Sequence, residues 1–261
     1  MKHVRPAAVA GDFYPDEPQQ LRHEIGGLLH DARGEGPVPK ALVAPHAGYT
    51  YSGPVAASGY ALLRPRRHTI ERVVLLGPSH RVSFEGLAAS SADGFATPLG
   101  IVRVDRTAVE TALSWPQVEV YDRVHRDEHS LEVQLPFLQM TLDQFSLVPL
   151  AVGQATANEV GEVLDALWGG DETLIVVSSD LSHYHDYQTA RAMDRVTSKF
   201  IEKRQWPELT GERACGCRGL RGLLKVAESR GLRVKTIDQR NSGDTSDVHD
   251  KVVGYGSFVV Y

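Results

Sequence analysis

Three apolar runs in this chain each end on a histidine, and no other feature restricts its fold as strongly. Leu42-Val43-Ala44 leads into Pro45-His46 and then into a loop of glycines, tyrosines and hydroxyls up to Gly53. Arg72-Val73-Val74-Leu75-Leu76 leads into Gly77-Pro78-Ser79-His80, and Leu174-Ile175-Val176-Val177 into Ser178-Ser179-Asp180-Leu181-Ser182-His183. Short apolar runs bounded by turn residues read as buried strands. Each strand therefore delivers a histidine to its carboxyl end, where open α/β sheets bind their ligands.

The rest of the chain fits around those strands. Residues 1–15 read as an extended arm closed by a turn, and 16–32 as a helix with Asp16 as its N-cap and Pro18 in its first turn. A loop over 34–37 precedes the first strand, 41–44, and small residues over 53–63 predict a helix lying close to the sheet. Runs at 86–90 and 100–104 suggest a strand pair turning at Thr97-Pro98-Leu99-Gly100, followed by a short helix over 107–113. Leu131, Leu135 and Leu138 predict a helix over 129–138. A strand at 146–152, a helix at 157–168, the strand 173–177 and helices at 190–203 and 220–229 come next. Strands at 234–237 and 254–260 complete the sheet. Alternating strands and helices with one β-only insert predict a single-domain, doubly wound α/β fold over 1–261, its sheet mixed but mostly parallel, with helices on both faces.

Composition removes several classes of function. The 261 residues are 42% hydrophobic, enough for a sizeable core without staples. Net charge is −5, and the densest basic patch is Arg64-Pro65-Arg66-Arg67-His68, which argues against nucleic acid as a partner. Met1 to Ala10 lacks a signal-peptide core, and no segment reaches the ~20 apolar residues of a membrane span, so a cytoplasmic protein without membrane contact is expected. The two cysteines, Cys215 and Cys217, are separated by one glycine, a spacing that disfavours a disulfide between them. Nucleophile-elbow, P-loop, HExxH and dinucleotide-binding signatures are absent.

His46 and His80 lead the residues that could do chemistry, because each follows a strand and a proline beside small residues that admit a ligand. Neutral imidazole is the commonest metal ligand, and two histidines plus one carboxylate suit non-haem Fe(II). Either histidine taken alone reads as a strand-end cap; three in one chain favour a shared site. His183 is a third ligand or a general acid/base, with Asp180 orienting a ring. His129 and Glu132, three residues apart, lie on adjacent helix faces and serve a metal or its surroundings, while Glu128 reads equally as a solvated capping acid. Asp244, in the polar loop 241–247, is the expected third metal ligand, although Gly-Asp in such a loop is by default a turn. The lone C-x-C at Cys215 lacks structural-zinc spacing and reads as an active-site loop or packing.

Taken in order, Ala44-Pro45-His46-Ala47-Gly48-Tyr49-Thr50-Tyr51-Ser52-Gly53, Leu76-Gly77-Pro78-Ser79-His80, Glu128-His129-Ser130-Leu131-Glu132-Val133-Gln134-Leu135-Pro136, Ser178-Ser179-Asp180-Leu181-Ser182-His183 and Asn241-Ser242-Gly243-Asp244 resemble the Memo family. Its prokaryotic members are called AmmeMemoRadiSam system protein B. The resemblance spans essentially the whole chain and implies a fold similar to class III extradiol dioxygenases, a non-haem iron group. It matches His46 and His80 to the two metal-binding histidines and His183 to the catalytic one. The dioxygenases' third ligand is a late glutamate, and animal Memo proteins carry a cysteine in the comparable C-terminal region. This sequence has neither there, and Asp244 is the nearest match. Cys215-Gly216 resembles a separate Cys-Gly loop of the family. The resemblance also implies radical-SAM system partners, and animal members are described as phosphotyrosine-peptide adaptors with proposed metal-dependent redox activity.

Three readings follow. The first is an Fe(II) redox protein of unassigned substrate, held by His46, His80 and Asp244, with His183 and His129 as catalytic groups. Tyr49, Tyr51, Glu132, Asp180 and Cys215 then serve the substrate. The second keeps the ligands but places Zn or another divalent metal there for hydrolysis. The third is a metal-free module gripping a small molecule, anion or peptide in the same cleft.

Overall fold

A computed structural model describes residues 3–32 and 35–261. The first residues of the expected arm over 1–15, and Gly34 of the expected loop, lie outside the described residues. In chain order the elements are β1 (Val4–Arg5), α1 (Pro18–Asp31), β2 (Ala41–Ala44), α2 (Tyr49–Tyr60), β3 (Arg72–Pro78), β4 (Leu87–Ala89), β5 (Gly94–Thr97), β6 (Gly100–Val104), α3 (Arg106–Leu113), β7 (Val118–Val120), α4 (Asp122–Arg126), α5 (Gln134–Thr141), β8 (Ser146–Val152), α6 (Ala157–Ala166), β9 (Thr173–Ser178), β10 (His183–His185), α7 (Tyr187–Glu202), α8 (Cys217–Ser229), β11 (Val234–Asn241) and β12 (Val252–Val260).

The spine is the parallel set β8-β3-β9-β2. These strands are nearly continuous apolar runs, buried along their length, because parallel strands are covered on both faces. β12 joins β2 antiparallel and pairs in turn with β11 and β10, which makes the sheet mixed. On the other side β6 runs parallel to β8, and β5 and β1 continue outward. Register shows the double winding. Leu42 pairs with Val176, so both face one side, where a Cβ on Gly59 of α2 would meet Leu42; Val177 faces the other, where a Cβ on Gly219 of α8 would meet it. The chain is therefore an α/β fold with a mixed, mostly parallel sheet and helices on both faces. The second helical layer packs tightly because Gly222 of α8 admits α6; a Cβ there would lie 2.3 Å from Val160 Cγ1. Among the described residues, no helix is long and apolar enough to cross a membrane.

Several local expectations shift. Glu17, not Asp16, caps α1, its carboxylate accepting the Gln20 N–H at 2.7 Å. The hairpin partner of β6 is β5, because a two-residue connection between Thr97 and Gly100 favours the nearest strand; β4 instead lies against β8 and β7. The helix expected over 129–138 begins only at Gln134. Upstream, the Glu128 carboxylate accepts the His129 and Ser130 N–H groups and holds a tight turn instead. That turn still carries a Val133 N–H to His129 carbonyl bond, so leucines at helical spacing pass through it unchanged. The strand expected to stop at Ile237 runs to Asn241. The basic patch is partly paired locally, Arg66 on Asp171 and both Arg67 and His68 on Asp143, while Arg64 donates to the Leu29 carbonyl.

Candidate metal centre

β2 ends at Ala44, and Pro45 carries the chain off the sheet so that His46 is buried against the end of β9. Its Nδ1 lies 2.8 Å from Ser178 Oγ. The Ser178 hydroxyl has one hydrogen, donated to the Ser130 carbonyl at 2.6 Å, and its oxygen also accepts from Gln134 Nε2 at 2.8 Å. Gln134 is itself oriented, Tyr60 donating to its Oε1 at 2.7 Å while Nε2 also donates to the Pro45 carbonyl at 2.9 Å. Ser178 therefore has only acceptance left to offer, which assigns the proton to His46 Nδ1 and leaves the Nε2 lone pair free. Burial, reinforced by the neighbouring His80, brings the His46 pKa down to about 3 and keeps the ring neutral.

His80 follows β3 by two residues, and its ring is set by Glu128. One carboxylate oxygen accepts His80 Nδ1 at 2.8 Å, the other the His80 backbone N–H at 2.6 Å. The first oxygen also accepts the His129 and Ser130 N–H groups, each at 3.0 Å. Burial alone would raise the Glu128 carboxyl; the hydrogen bonds and charge of His80 with the backbone donors outweigh it and bring the pKa down to about 2. A carboxylate behind a histidine fixes the tautomer and makes the opposite nitrogen a better ligand.

The third donor comes from the loop before α8. Cys215 Sγ lies 3.3 Å from His46 Nε2 and accepts the Asp180 N–H at 3.2 Å. The loop reaches this position because Gly216 lies against the end of β9, where a Cβ would be 2.5 Å from the Ser178 carbonyl. Donor atoms of His46, His80 and Cys215 all fall within 4.8 Å of one another. Burial, then the adjacent Asp180, pushes the thiol pKa well up, so the isolated cysteine is a thiol and metal binding would release its proton. His80, Glu128 and His129 form a second such group. There the carboxylate oxygen nearest the rings already accepts three N–H bonds, so the free donors belong to the first group.

His129 stacks on His80 at 4.7 Å between centroids and meets the His46 ring edge-on at 5.4 Å. Burial, with His46 beside it, lowers its pKa to about 4. His129, His183, Asp180 and Phe13 line an open cleft of about 830 Å³ over the three donors. Asp180 accepts the His46 N–H at 2.8 Å, and its other oxygen is 3.9 Å from His46 Nε2; burial raises its pKa.

The structure thus brings together His46, His80, His129, His183, Asp180 and Cys215. It does not bring Asp244, whose oxygens accept from the Tyr187 hydroxyl at 2.6 Å and the Asn241 N–H at 2.8 Å in a turn after β11. As a third ligand Asp244 is corrected: β11 extends four residues past its expected end, and the carboxylate is spent capping the turn. Glu132 is also corrected. It is completely buried against Arg5 and accepts from the Ala8 and Val9 N–H groups and the Tyr14 hydroxyl, on the arm side of its segment. Tyr49 is core, its hydroxyl donating to the Val133 carbonyl at 2.7 Å, and Tyr51 is 44% exposed outside the lining of the cleft. Reading by residue type passed over Ser178 and Gln134. Their signal is only that a serine ends the β9 run and that a glutamine stands at the first position of α5 ahead of Leu135-Pro136-Phe137-Leu138.

Two neutral imidazole nitrogens and a thiol make a soft-to-borderline donor set suited to Fe(II) or Zn(II) and unsuited to Mg²⁺ or Ca²⁺. Comparisons with known proteins identify the relatives of this chain. The family model described as "Memo-like protein" matches residues 5–259. A MEMO1 family protein from Aquifex aeolicus is 34% identical, covering 97% of both chains. One from Thermotoga neapolitana is 36% identical over 98% of this chain and 99% of its own, and one from Methanosarcina barkeri 35% over 98% and 100%. Among solved structures, an uncharacterized protein from Escherichia coli K12 superposes with a TM-score of 0.52 at 13% identity, covering 84% of this chain and 98% of that one, a likeness of fold.

Proposed function

The chain belongs to the Memo family, and from that membership we propose that it is a metal-binding protein whose ion is held by His46 Nε2, His80 Nε2 and Cys215 Sγ. The observation that carries this is the saturation pattern. Each histidine has its Nδ1 proton committed, to Ser178 in one case and Glu128 in the other, and its Nε2 left without a protein hydrogen bond other than the thiol. Donors arranged in this way serve a cation.

Within that reading the protein is a non-haem iron, dioxygenase-like redox protein acting on a small molecule or peptide in the cleft. Fe(II), when bound, would supply one-electron and O₂ chemistry. The chain's own groups do the rest. Cys215 gives up its proton on metal binding, and the Asp180 carboxyl, whose pKa burial raises, lies beside the cluster to receive it. His129, neutral and stacked on His80, is a base facing the cleft, and His183 stands at its rim to hand protons to solvent. Phe13 and the His129 ring, 4.7 Å apart between centroids, form one wall of the cleft.

Elemental analysis of purified protein, with His46→Ala, His80→Ala and Cys215→Ala beside it, tests the assignment. One metal per chain in the wild type and loss in each variant is expected; stoichiometric metal surviving the three substitutions overturns it. Anaerobic loading with Fe(II) or Zn(II), followed by oxygen-uptake measurements, separates redox from hydrolytic chemistry. Oxygen uptake with Fe(II) only, stimulated by substrate, supports the redox reading, and its absence with both metals removes it.

A further inference from the structure

Behind the three donors lies a second cavity of about 350 Å³, at the carboxyl ends of β3, β8 and β9. His80 and Cys215 line both this chamber and the open cleft, so the donor cluster forms the partition between them. The chamber's composition differs from that of the cleft. Its lining is the more polar of the two: Phe84, Val152 and Val177 form an apolar patch, and Arg81 and Arg218 line it with two guanidinium groups. No aspartate or glutamate lines it, and among the described residues neither arginine makes an ion pair; Arg218 bonds only the neutral amide of Gln154. In a chain of net charge −5, two arginines without carboxylate partners around one concavity form a local positive field with a vacant complement. Ligand sites are cavities of about this size in which a few polar groups converge.

We propose that this chamber binds a small organic anion: a compact apolar body against Phe84, Val152 and Val177, with its oxyanion on Arg81 and Arg218. Guanidinium forks match carboxylate and phosphate alike, with paired N–H donors and a charge that does not titrate. Such a ligand lies against the partition and presents its far end to His80 and Cys215. This assigns a substrate class to the metal centre proposed above and rests on that reading for its role, although binding itself needs only the chamber.

The test titrates benzoate, its neutral isostere benzamide, and inorganic phosphate into the full chain by calorimetry, once after chelator treatment and once after loading with Co(II). Arg81→Gln, Arg218→Gln and the double variant are run in parallel, with circular dichroism and metal content recorded for each. Arg81 is exposed and Arg218 half-buried, and neither substitution breaks an ion pair, so the variants keep the fold and the metal. The expected result is benzoate binding at least about tenfold tighter than benzamide, weakened about tenfold by either substitution and further by both. In the Co(II) protein, benzoate should also perturb the visible spectrum. Phosphate binding as tightly as benzoate, and equally dependent on the arginines, keeps the anion site and moves its ligand to the phosphate class. Benzoate and benzamide binding within twofold, benzoate and phosphate both failing to bind, or a double variant binding within twofold of wild type overturns the proposal. Failure of Co(II) to load removes the metal centre while the chelated titration still decides the chamber.

Discussion

Glu128 and Glu132 stand four residues apart in one segment, both buried, and they do opposite things. Glu132 faces the arm and is closed: Arg5, the Ala8 and Val9 N–H groups and the Tyr14 hydroxyl use up its oxygens, and nothing within reach is left unspent. Glu128 faces the sheet ends, and the groups it fixes remain half-used, since His80 gives it Nδ1 and keeps Nε2. A buried polar group whose network closes on itself holds the fold together; one whose network stops at an open lone pair prepares a site.

Glu132→Gln leaves Arg5 buried without its counter-charge and should cost roughly 3–5 kcal/mol, read as a drop in the urea midpoint of the metal-free protein. Its metal affinity, measured in the fraction that remains folded, should stay near wild type. Glu128→Gln should do the reverse, weakening metal binding roughly 10–100-fold with a smaller stability loss, measured by competition with a chromophoric chelator. If Glu128→Gln leaves affinity unchanged, the division between the two carboxylates fails.

Acid sharpens the closed side. His125 is buried, donating Nε2 to the Ala88 carbonyl at 2.9 Å, and burial lowers its pKa from 6.5 to about 4. The unfolded chain takes up this proton near pH 6.5, so its contribution is fully present above that pH. It is lost as pH falls toward 4, by up to about 3 kcal/mol. Urea titrations of metal-free protein from pH 7.5 to 4.5 should show this decline.

Ser178→Ala removes the acceptor that fixes the His46 proton on Nδ1, and a smaller loss of metal affinity, about tenfold, is expected. Ser178→Thr should restore much of it, which a simple packing defect would not permit. Asp244→Asn is the weakest change: unaltered metal content, and about 1 kcal/mol or less from the turn it caps. Loss of metal there would return that carboxylate to the site.

The frame of the fold is legible in local patterns. Apolar runs ending in Pro45-His46, Gly77-Pro78-Ser79-His80 and Ser178-Ser179-Asp180 are local patterns, and a run buried on both faces has few alternatives to a central parallel strand. Those patterns alone put His46 and His80 at one sheet edge. Which third donor joins them depends on long-range packing. Cys215 reaches His46 from 169 positions away, through a loop whose glycine fits against β9, while Asp244 is nearer in type but spent on its own turn. The same holds for Glu128 and Glu132. Spacing along the chain cannot tell which neighbours will use up a carboxylate, because those neighbours, Arg5 and Tyr14 in one case and His80 in the other, are brought there by the packing of the whole fold.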